Sequence, residues 1–382
     1  MNYKNVAGNE ISVLGLGCMR FSRNAEETER LILGAIERGV NYFDTAYLYP
    51  GSEKILGGIL RKNGKREGVF IATKLPLLLC KKRADFDKFF AEQLARLQTE
   101  YVDYYLMHNV SSYDHWRSFV DMGVEEWLAD KVESGQIRKV GFSFHGASKE
   151  FLRVLESRKW DFCMIQYNYS DENFQAGKVG LQAAYERGVP VIVMEPLLGG
   201  RLATGLPREA IEVFRKVDNL SAAAWGLRWL WAQKEVACVL SGVGSEEIMS
   251  ENIQTAENFS ELTAEHLDAY KKVIKIFKSK YKIGCTGCNY CLPCPQGINI
   301  PSCFAAYNNR YVQGFMTGMA QYVLSTAAVT KMPISPRKCV DCKKCERECP
   351  QNLEIVALLK TVSRKMEPLP VRAVLAVARK VM

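Results

Sequence analysis

Eight of the chain's 13 cysteines stand in two short runs, CTGCNYCLPCPQGINIP (Cys285–Pro301) and KCVDCKKCERECP (Lys338–Pro350). Thiolates are soft ligands, and Cys-x2-Cys hooks repeated in series bring several of them to one place. Iron–sulfur clusters and zinc are the two chemistries such runs serve. Four-cysteine zinc sites pair two separate hooks, whereas each run here has consecutive hooks and closes on Cys-Pro. The 280 residues before the runs hold a different set: Asp44 and Tyr49 in FDTAYLY, Lys74 in ATK and His108 in YLMH. These types suit delivery of a proton to an oxygen. A phenol at its ordinary pKa of about 10 is a poor acid near neutrality. An adjacent ammonium favours the phenolate, and a carboxylate holds that ammonium charged and in place. Taken singly, a Lys or Asp at a strand end reads as a solvated rim residue, and a lone His as one that satisfies a carbonyl. Four matched groups at the ends of three consecutive strands are harder to read that way.

The elements that must position them are visible in the pattern. Apolar runs at 12–17, 41–46, 69–74, 102–108, 139–144, 162–169, 189–196 and 237–243 read as strands, with amphipathic helical stretches between them. The phrase ERGV, at Glu37–Val40 and Glu186–Val189, ends two helices on a left-handed glycine and drops the chain into a strand. Eight strand-then-helix units with near-continuous apolar strands predict an α/β fold, a (β/α)8 TIM barrel. An open doubly wound sheet is the runner-up, but no GxGxxG follows the first strand. NYKNVAG and NEISVLG predict a hairpin turning at Gly8-Asn9 that caps the barrel's bottom. Residues 262–281 read as a helix leading out of the barrel. The expected organisation is a barrel over 1–280, a two-cluster domain over 281–355 and a helical tail over 356–382. An apolar insert, Phe304–Thr330, separates the knots; the basic amphipathic VRAVLAVARKVM is expected to pack back on the protein, with contact to a membrane surface as the other reading.

Charge divides along the same line. Residues 1–280 carry 37 Lys and Arg against 37 Asp and Glu, while residues 281–382 carry 14 against five. The whole excess of +9 therefore lies with the cysteines. Anionic thiolate clusters are offset by such charge, which also suits docking of an acidic partner. No aromatic-rich basic strand or recognition-helix pattern accompanies it, so nucleic acid is not expected. The first residues, MNYKNVAGNEIS, lack an apolar signal core, and no apolar run reaches membrane-spanning length. Free cysteines at this density fit a reducing cytoplasm.

FDTA with a Tyr five residues after its Asp, then ATK, then YLMH, resembles the aldo/keto reductases over residues 1–280. The resemblance implies reduction of a small carbonyl, or oxidation of an alcohol, with NAD or NADP. It implies Tyr49 as general acid with Asp44, Lys74 and His108 in support; Tyr47 has the wrong offset. It places the nicotinamide against Ser143 and Gln166, with the Gly17–Met19 loop beside it. The family's Ser-Asn pair is Ser143-Phe144 here, a departure at one carboxamide contact. Leu197–Arg201, including Gly199, and Ser241–Ser245, including Gly242, match the loops around the pyrophosphate, and Asn252 the adenine contact. A plain strand-to-helix turn is the other reading of Ser241–Ser245. Positions near Gly242 and Ile248 lack the basic residues of NADP-preferring relatives, so no strong NADPH preference is expected.

The run Cys339-x2-Cys342-x2-Cys345-x3-Cys349-Pro is similar to the bacterial ferredoxin motif, and Cys285, Cys288, Cys291 and Cys294-Pro repeat it one residue shorter. This resemblance implies two [4Fe-4S] clusters, one on Cys285, Cys288, Cys291 and Cys349, the other on Cys339, Cys342, Cys345 and Cys294. Cys18, Cys80, Cys163, Cys238 and Cys303 read as buried small apolar residues. The whole chain resembles ferredoxin-fused aldo/keto reductase-like proteins. Three roles for the clusters follow: exchange of electrons with an acidic ferredoxin, flavodoxin or flavoprotein partner; structural staples; or a scaffold in which the barrel no longer reduces anything.

Overall fold

Strand pairing decides between a closed and an open sheet. The computed structural model describes residues 1–22, 24–323, 326, 335–369 and 371–372. By packing it divides into two units: Met1–Pro196 with Ala223–Leu262, and Leu197–Ala222 with the chain from Thr263 onward.

The first unit opens with strands β1 (Tyr3–Val6) and β2 (Asn9–Ser12), which pair antiparallel. Eight parallel strands follow: β3 (Leu14–Gly17), β4 (Tyr42–Asp44), β5 (Phe70–Leu75), β6 (Val102–Val110), β7 (Ile137–Phe144), β8 (Phe162–Gln166), β9 (Val191–Met194) and β10 (Val236–Ser241). β10 pairs with β3, Val239 opposite Leu14 and Ser241 opposite Leu16, so the sheet is a closed barrel. The helices along this part of the chain are α1 (Ala25–Glu37), α2 (Ser52–Lys62), α3 (Ala84–Leu97), α4 (Tyr113–Val120), α5 (Val124–Glu133), α6 (Ser148–Glu156), α7 (Gly177–Glu186), α8 (Arg208–Arg215), α9 (Ala222–Trp231) and α10 (Glu246–Asn258). All but α8 belong chiefly to the barrel unit. Within that unit neighbours pack side by side, α2 on α1 and α3, α6 on α4 and α7, and α10 on α1.

Both ERGV phrases do what their glycine allows. Gly39 (φ +89°) and Gly188 (φ +67°) are left-handed, and Val40 and Val189 donate back to Ala35 and Ala184 at 2.9 Å. Each helix thus ends with its last carbonyls satisfied, and the next strand begins at once. The hairpin turns at Ala7-Gly8, both left-handed, one residue before the expected Gly8-Asn9. The pairing of Val6 with Asn9 leaves two residues for the loop, the length that favours two positive φ angles. Its apolar side chains Val6 and Ile11 are fully buried among Tyr42, Tyr104, Phe162 and Ile192. Tyr104 donates its hydroxyl to the Val6 carbonyl at 2.8 Å and accepts from Asn9 Nδ2 at 3.0 Å.

The second unit contains α8 and α11 (Ala264–Lys280), followed by α12 (Ile300–Val312), α13 (Phe315–Val323), α14 (Lys344–Arg347) and α15 (Ile355–Met366). Thr263 and His266 form a reciprocal cap at the start of α11. The two knots prove to be copies of one plan. In each, a left-handed residue stands before and after the middle cysteine: Gly287 and Asn289 around Cys288, Asp341 and Lys343 around Cys342. The segments CPQGINI (294–300) and CPQNLEI (349–355) then turn through left-handed Gly297 and Asn352 into α12 and α15. These helices pack together over a core that includes Ile298, Phe304, Tyr307, Tyr322 and Leu359. Of the expected insert, 324–325 and 327–330 lie outside the described residues, as do 373–382 of the basic amphipathic stretch.

Removing the Tyr104 hydroxyl takes one buried donor from the Val6 carbonyl and one acceptor from Asn9. Tyr104→Phe is expected to lower stability by about 1–3 kcal/mol. All six tryptophans lie in the barrel unit, so their fluorescence in a urea titration reads this directly.

Candidate active site and cysteine sites

β4 and β5 are neighbours, Asp44 opposite Ala72, and their ends carry a buried ion pair. Lys74 Nζ lies 2.6 Å from Asp44 Oδ1 and donates to the Thr45 carbonyl at 2.7 Å. An ammonium this deep (1% exposed) is tolerable only with such partners. Burial pushes the Asp44 carboxyl up, against the pull of Lys74. Tyr49 sits on the turn after β4, its hydroxyl 3.5 Å from Lys74 Nζ and its ring centroid 4.9 Å from it. The His108 ring, at the end of β6, stands edge-on to Tyr49 with centroids 6.1 Å apart. The four groups therefore meet. Tyr47 points elsewhere, donating to Glu92 at 2.7 Å with Arg96 stacked over its ring.

A buried web fixes this end of the barrel. Gln93 Nε2 on α3 reaches the Lys74 carbonyl at 3.0 Å and Glu53 at 2.8 Å, and Thr73 donates to Glu53 at 2.6 Å. Ser52, at the start of α2, donates to the Cys18 carbonyl at 2.9 Å and lies 2.7 Å from the Thr45 hydroxyl. Strand ends, turn and helices are thus tied around Lys74. Cys18, Cys80, Cys163, Cys238 and Cys303 are all buried.

One residue at the site escaped sequence reasoning. His145 follows β7 directly, is buried and hydrogen-bonds Gln175, whose φ is +57°. The next residue must be Gly146, because a Cβ there would fall 1.8 Å from the Ser111 carbonyl beyond β6. The signal was available, because His145 stands just past a strand end, much as His108 closes its apolar run. Burial first, then Lys74 and His145, holds His108 well below the ordinary imidazole range. Burial and Lys74 likewise bring His145 down to about 4, with Gln175 opposing. Both rings are neutral at pH 7, which leaves Lys74 as the fixed positive charge among them.

The other expected residues of this unit fall at strand ends. Ser143 and Gln166 are buried on adjacent β7 and β8, and Ser143 Oγ accepts from the Asn109 amide at 2.8 Å. Gly17 ends β3 beside Gly242, and Met19 lies in the turn behind it. Asn252 Nδ2 donates to Ser241 Oγ at 3.0 Å, while its Oδ1 is buried without a partner among the described residues. Ser245 caps α10, whose first turn carries Glu246 and Glu247.

Leu197–Arg201 belongs to the second unit. Leu198, Gly199 and Gly200 are successively left-handed, and Arg201 donates to the carbonyls of Ile283 (3.4 Å) and Gly284 (3.3 Å), just before Cys285. Two voids follow in that unit. One is lined by Cys285, Cys288, Cys291 and Cys349. The other is lined by Cys339, Cys342, Cys345 and Cys294, with Cys291 shared between the two. Burial and then the thiols of Cys288, Cys285 and Cys349 push Cys291 up to about 12. Burial, with Glu346, Cys339 and Cys294 adding, pushes Cys345 up to about 11. Thiols gathered so closely ionise together only around a cation. No three Cys, His, Asp or Glu side chains among the described residues converge on a single ion. Room between four thiols is what a polynuclear cluster requires.

The aldo/keto reductase family profile matches residues 13–275, and a 4Fe-4S dicluster domain profile matches residues 284–354. The chain belongs to the aldo/keto reductase family. Its similarity to an uncharacterized oxidoreductase of Bacillus subtilis, YqkF, is 26% identity over 300 residues, 70% of this chain and 94% of that one. With a 6-dehydroglucose reductase of Novosphingobium aromaticivorans it shares 26% over 265 residues, 63% of this chain and 84% of the relative. The holo form of an aldo-keto reductase from Bacillus halodurans superposes with a TM-score of 0.60 at 25% identity, covering 72% of this chain and 96% of that one. The protein is thus an oxidoreductase enzyme with an iron–sulfur domain appended. Among the described residues no helix is long and apolar enough to cross a membrane.

The neutral histidines link stability of the reductase barrel to pH. A base whose folded pKa lies below its unfolded value near 6.5 contributes fully above that pH, and the contribution is lost as pH falls toward the folded value. For His145 the window runs from about 6.5 to about 4, at about 1.4 kcal/mol per pH unit. Unfolding followed by tryptophan fluorescence at pH 7 and pH 5 is expected to show this loss, and His145→Gln to flatten it.

Proposed function

We propose that the barrel reduces the carbonyl of a small aldehyde or ketone, or runs the reverse oxidation, with Tyr49 as the proton donor. The observation that carries this reading is the Tyr49 hydroxyl within reach of a lysine whose charge is fixed by a buried carboxylate. A bound nicotinamide would supply the hydride, two electrons at once. Tyr49 gives its proton to the carbonyl oxygen as negative charge develops there, so carbonyl, hydride and proton become the alcohol. Lys74 stabilises the phenolate left behind. Asp44 and the Thr45 carbonyl hold Lys74 in place, and neutral His108 orients the oxygen by a hydrogen bond.

Ser143 and Gln166 would hold the carboxamide, with Gly17 and Met19 against the ring. The loop with Ser241, Gly242 and Ser245 would follow the pyrophosphate. The orphaned Asn252 Oδ1 suits an adenine amine, which can donate to it. A 2′-phosphate brought to the first turn of α10 would meet Glu247 and a Glu246 already paired with Arg30 at 3.0 Å, a net negative charge that favours NADH over NADPH.

Cys285, Cys288, Cys291 and Cys349 would hold one [4Fe-4S] cluster and Cys339, Cys342, Cys345 and Cys294 the other, and such clusters would supply exchange of single electrons with an acidic ferredoxin, flavodoxin or flavoprotein. The tail unit has an apolar core of its own, so its cysteines exceed what a staple requires. The protein works in a reducing cytoplasm, where such thiols stay available.

Anaerobically purified protein is expected to contain about eight irons with matching sulfide; stoichiometric zinc without sulfide would exclude the clusters. Given an aldehyde substrate, Tyr49→Phe is expected to lower NADH turnover by roughly 10²–10⁴-fold. Full turnover in that variant would remove Tyr49 from the mechanism. Nucleotide titrations should give a lower Kd for NADH than for NADPH.

A further inference from the structure

The two knots share a backbone plan but differ in what they show to solvent. No charged residue occurs in Cys285–Pro301. Around the second void, Lys338, Lys343, Lys344 and Arg347 are all exposed, and none is in an ion pair among the described residues. The acids nearby are engaged or partly covered. Asp341 is held by Lys360, Glu346 accepts from the Val356 amide at 2.9 Å, buried Glu367 pairs with Arg337, and Glu348 is half-buried. Of the eight knot cysteines, Cys342 is the one that is exposed. Val340, two residues before it, is 58% exposed. An apolar spot beside an accessible ligand, ringed by unpaired cations, is present at this void and absent at the first knot.

We propose that Val340, Cys342, Lys343 and Lys344 form the docking face for an acidic one-electron carrier protein, so that electrons cross the protein surface at the second cluster. This rests on the reading that both voids hold clusters. Each event moves one electron between the reduced carrier and the oxidised cluster, with no bond made or broken. Electron tunnelling needs the two centres close, and the exposed Cys342 marks where the covering protein is thinnest. Lysines steer an acidic partner to that point over about a Debye length, roughly 10 Å at 0.1 M salt. Val340 gives the encounter a desolvated centre. A nucleic-acid backbone would use the cations but has no use for the apolar spot or the exposed thiolate.

The test uses the anaerobic holoprotein in a stopped-flow instrument, with a reduced acidic [2Fe-2S] ferredoxin as carrier and methyl viologen radical as a small control reductant. Lys343→Glu/Lys344→Glu is expected to lower the second-order rate with ferredoxin about tenfold or more at low salt and to flatten its salt dependence. Lys271→Glu/Lys275→Glu makes the same charge change on exposed positions of α11 and is expected to leave the rate within about twofold. Methyl viologen should reduce all three proteins alike, showing that the clusters are intact. Equal slowing in both variants would mean that net charge alone acts, and would overturn the docking face. So would an undiminished rate in the Lys343/Lys344 variant, with electron exchange itself still standing. A wild-type protein reduced by viologen but not by ferredoxin would instead overturn the electron-exchange reading beneath the proposal. A short DNA duplex that binds the face more tightly than ferredoxin would assign it to nucleic acid.

Discussion

A buried ammonium is the constraint on which the catalytic end of the barrel depends. Lys74 is almost fully removed from water, and an unpaired charge there would cost several kcal/mol. Asp44 and the Thr45 carbonyl answer it, which obliges the ends of β4 and β5 to lie side by side. Everything else at this end follows from holding that pair still. Glu53, Thr73 and Gln93 brace the backbone of β5 from below, and Ser52 pins the turn after β3 to the end of β4. With strand ends fixed, the short turn from Asp44 carries Tyr49 back over the lysine. Two neutral imidazoles complete the wall, and their neutrality follows from sharing a dry space with the same ammonium.

How much of this was legible varied with the kind of signal. The strands and the two ERGV turns could be read because apolar periodicity and a left-handed glycine are local properties. Asp44, Tyr49, Lys74 and His108 could be read because strand order in a barrel turns sequence order into spatial order. His145 obeys the same rule, standing just past the end of β7. The brace through Gln93 could not be foreseen. It depends on a helix side chain reaching a carbonyl on a strand 19 residues earlier, and no spacing in α3 singles out Gln93. The hairpin turn was misplaced by one residue because Gly8-Asn9 and Ala7-Gly8 are both acceptable turn pairs; strand register, not turn chemistry, chose between them.

The tail follows a different logic. Its sequence is dominated by ligand spacing, so the thiols could be assigned in groups before any geometry was known, and the voids are lined by those groups. The repeat CPQGINI/CPQNLEI was equally open to inspection, yet it acquires meaning only when both copies are seen to lead into packed helices. Arg201, in the segment matched to a pyrophosphate loop, directs its guanidinium at the backbone just before Cys285.

The crossing of the cysteines has a temporal side. Cys349 lines the void begun by Cys285, and Cys294 lines the one begun by Cys339, so neither wall is complete within its own run. During synthesis the chain that ends at Cys294 presents three thiols to the first void, whose fourth, Cys349, comes 55 residues later. At roughly 5–20 residues per second that delay is on the order of seconds. Neither set of four thiols is complete before the second run has been made. Both become whole together, once the second run and the helix behind it have been made, and the two halves of the tail mature as one object.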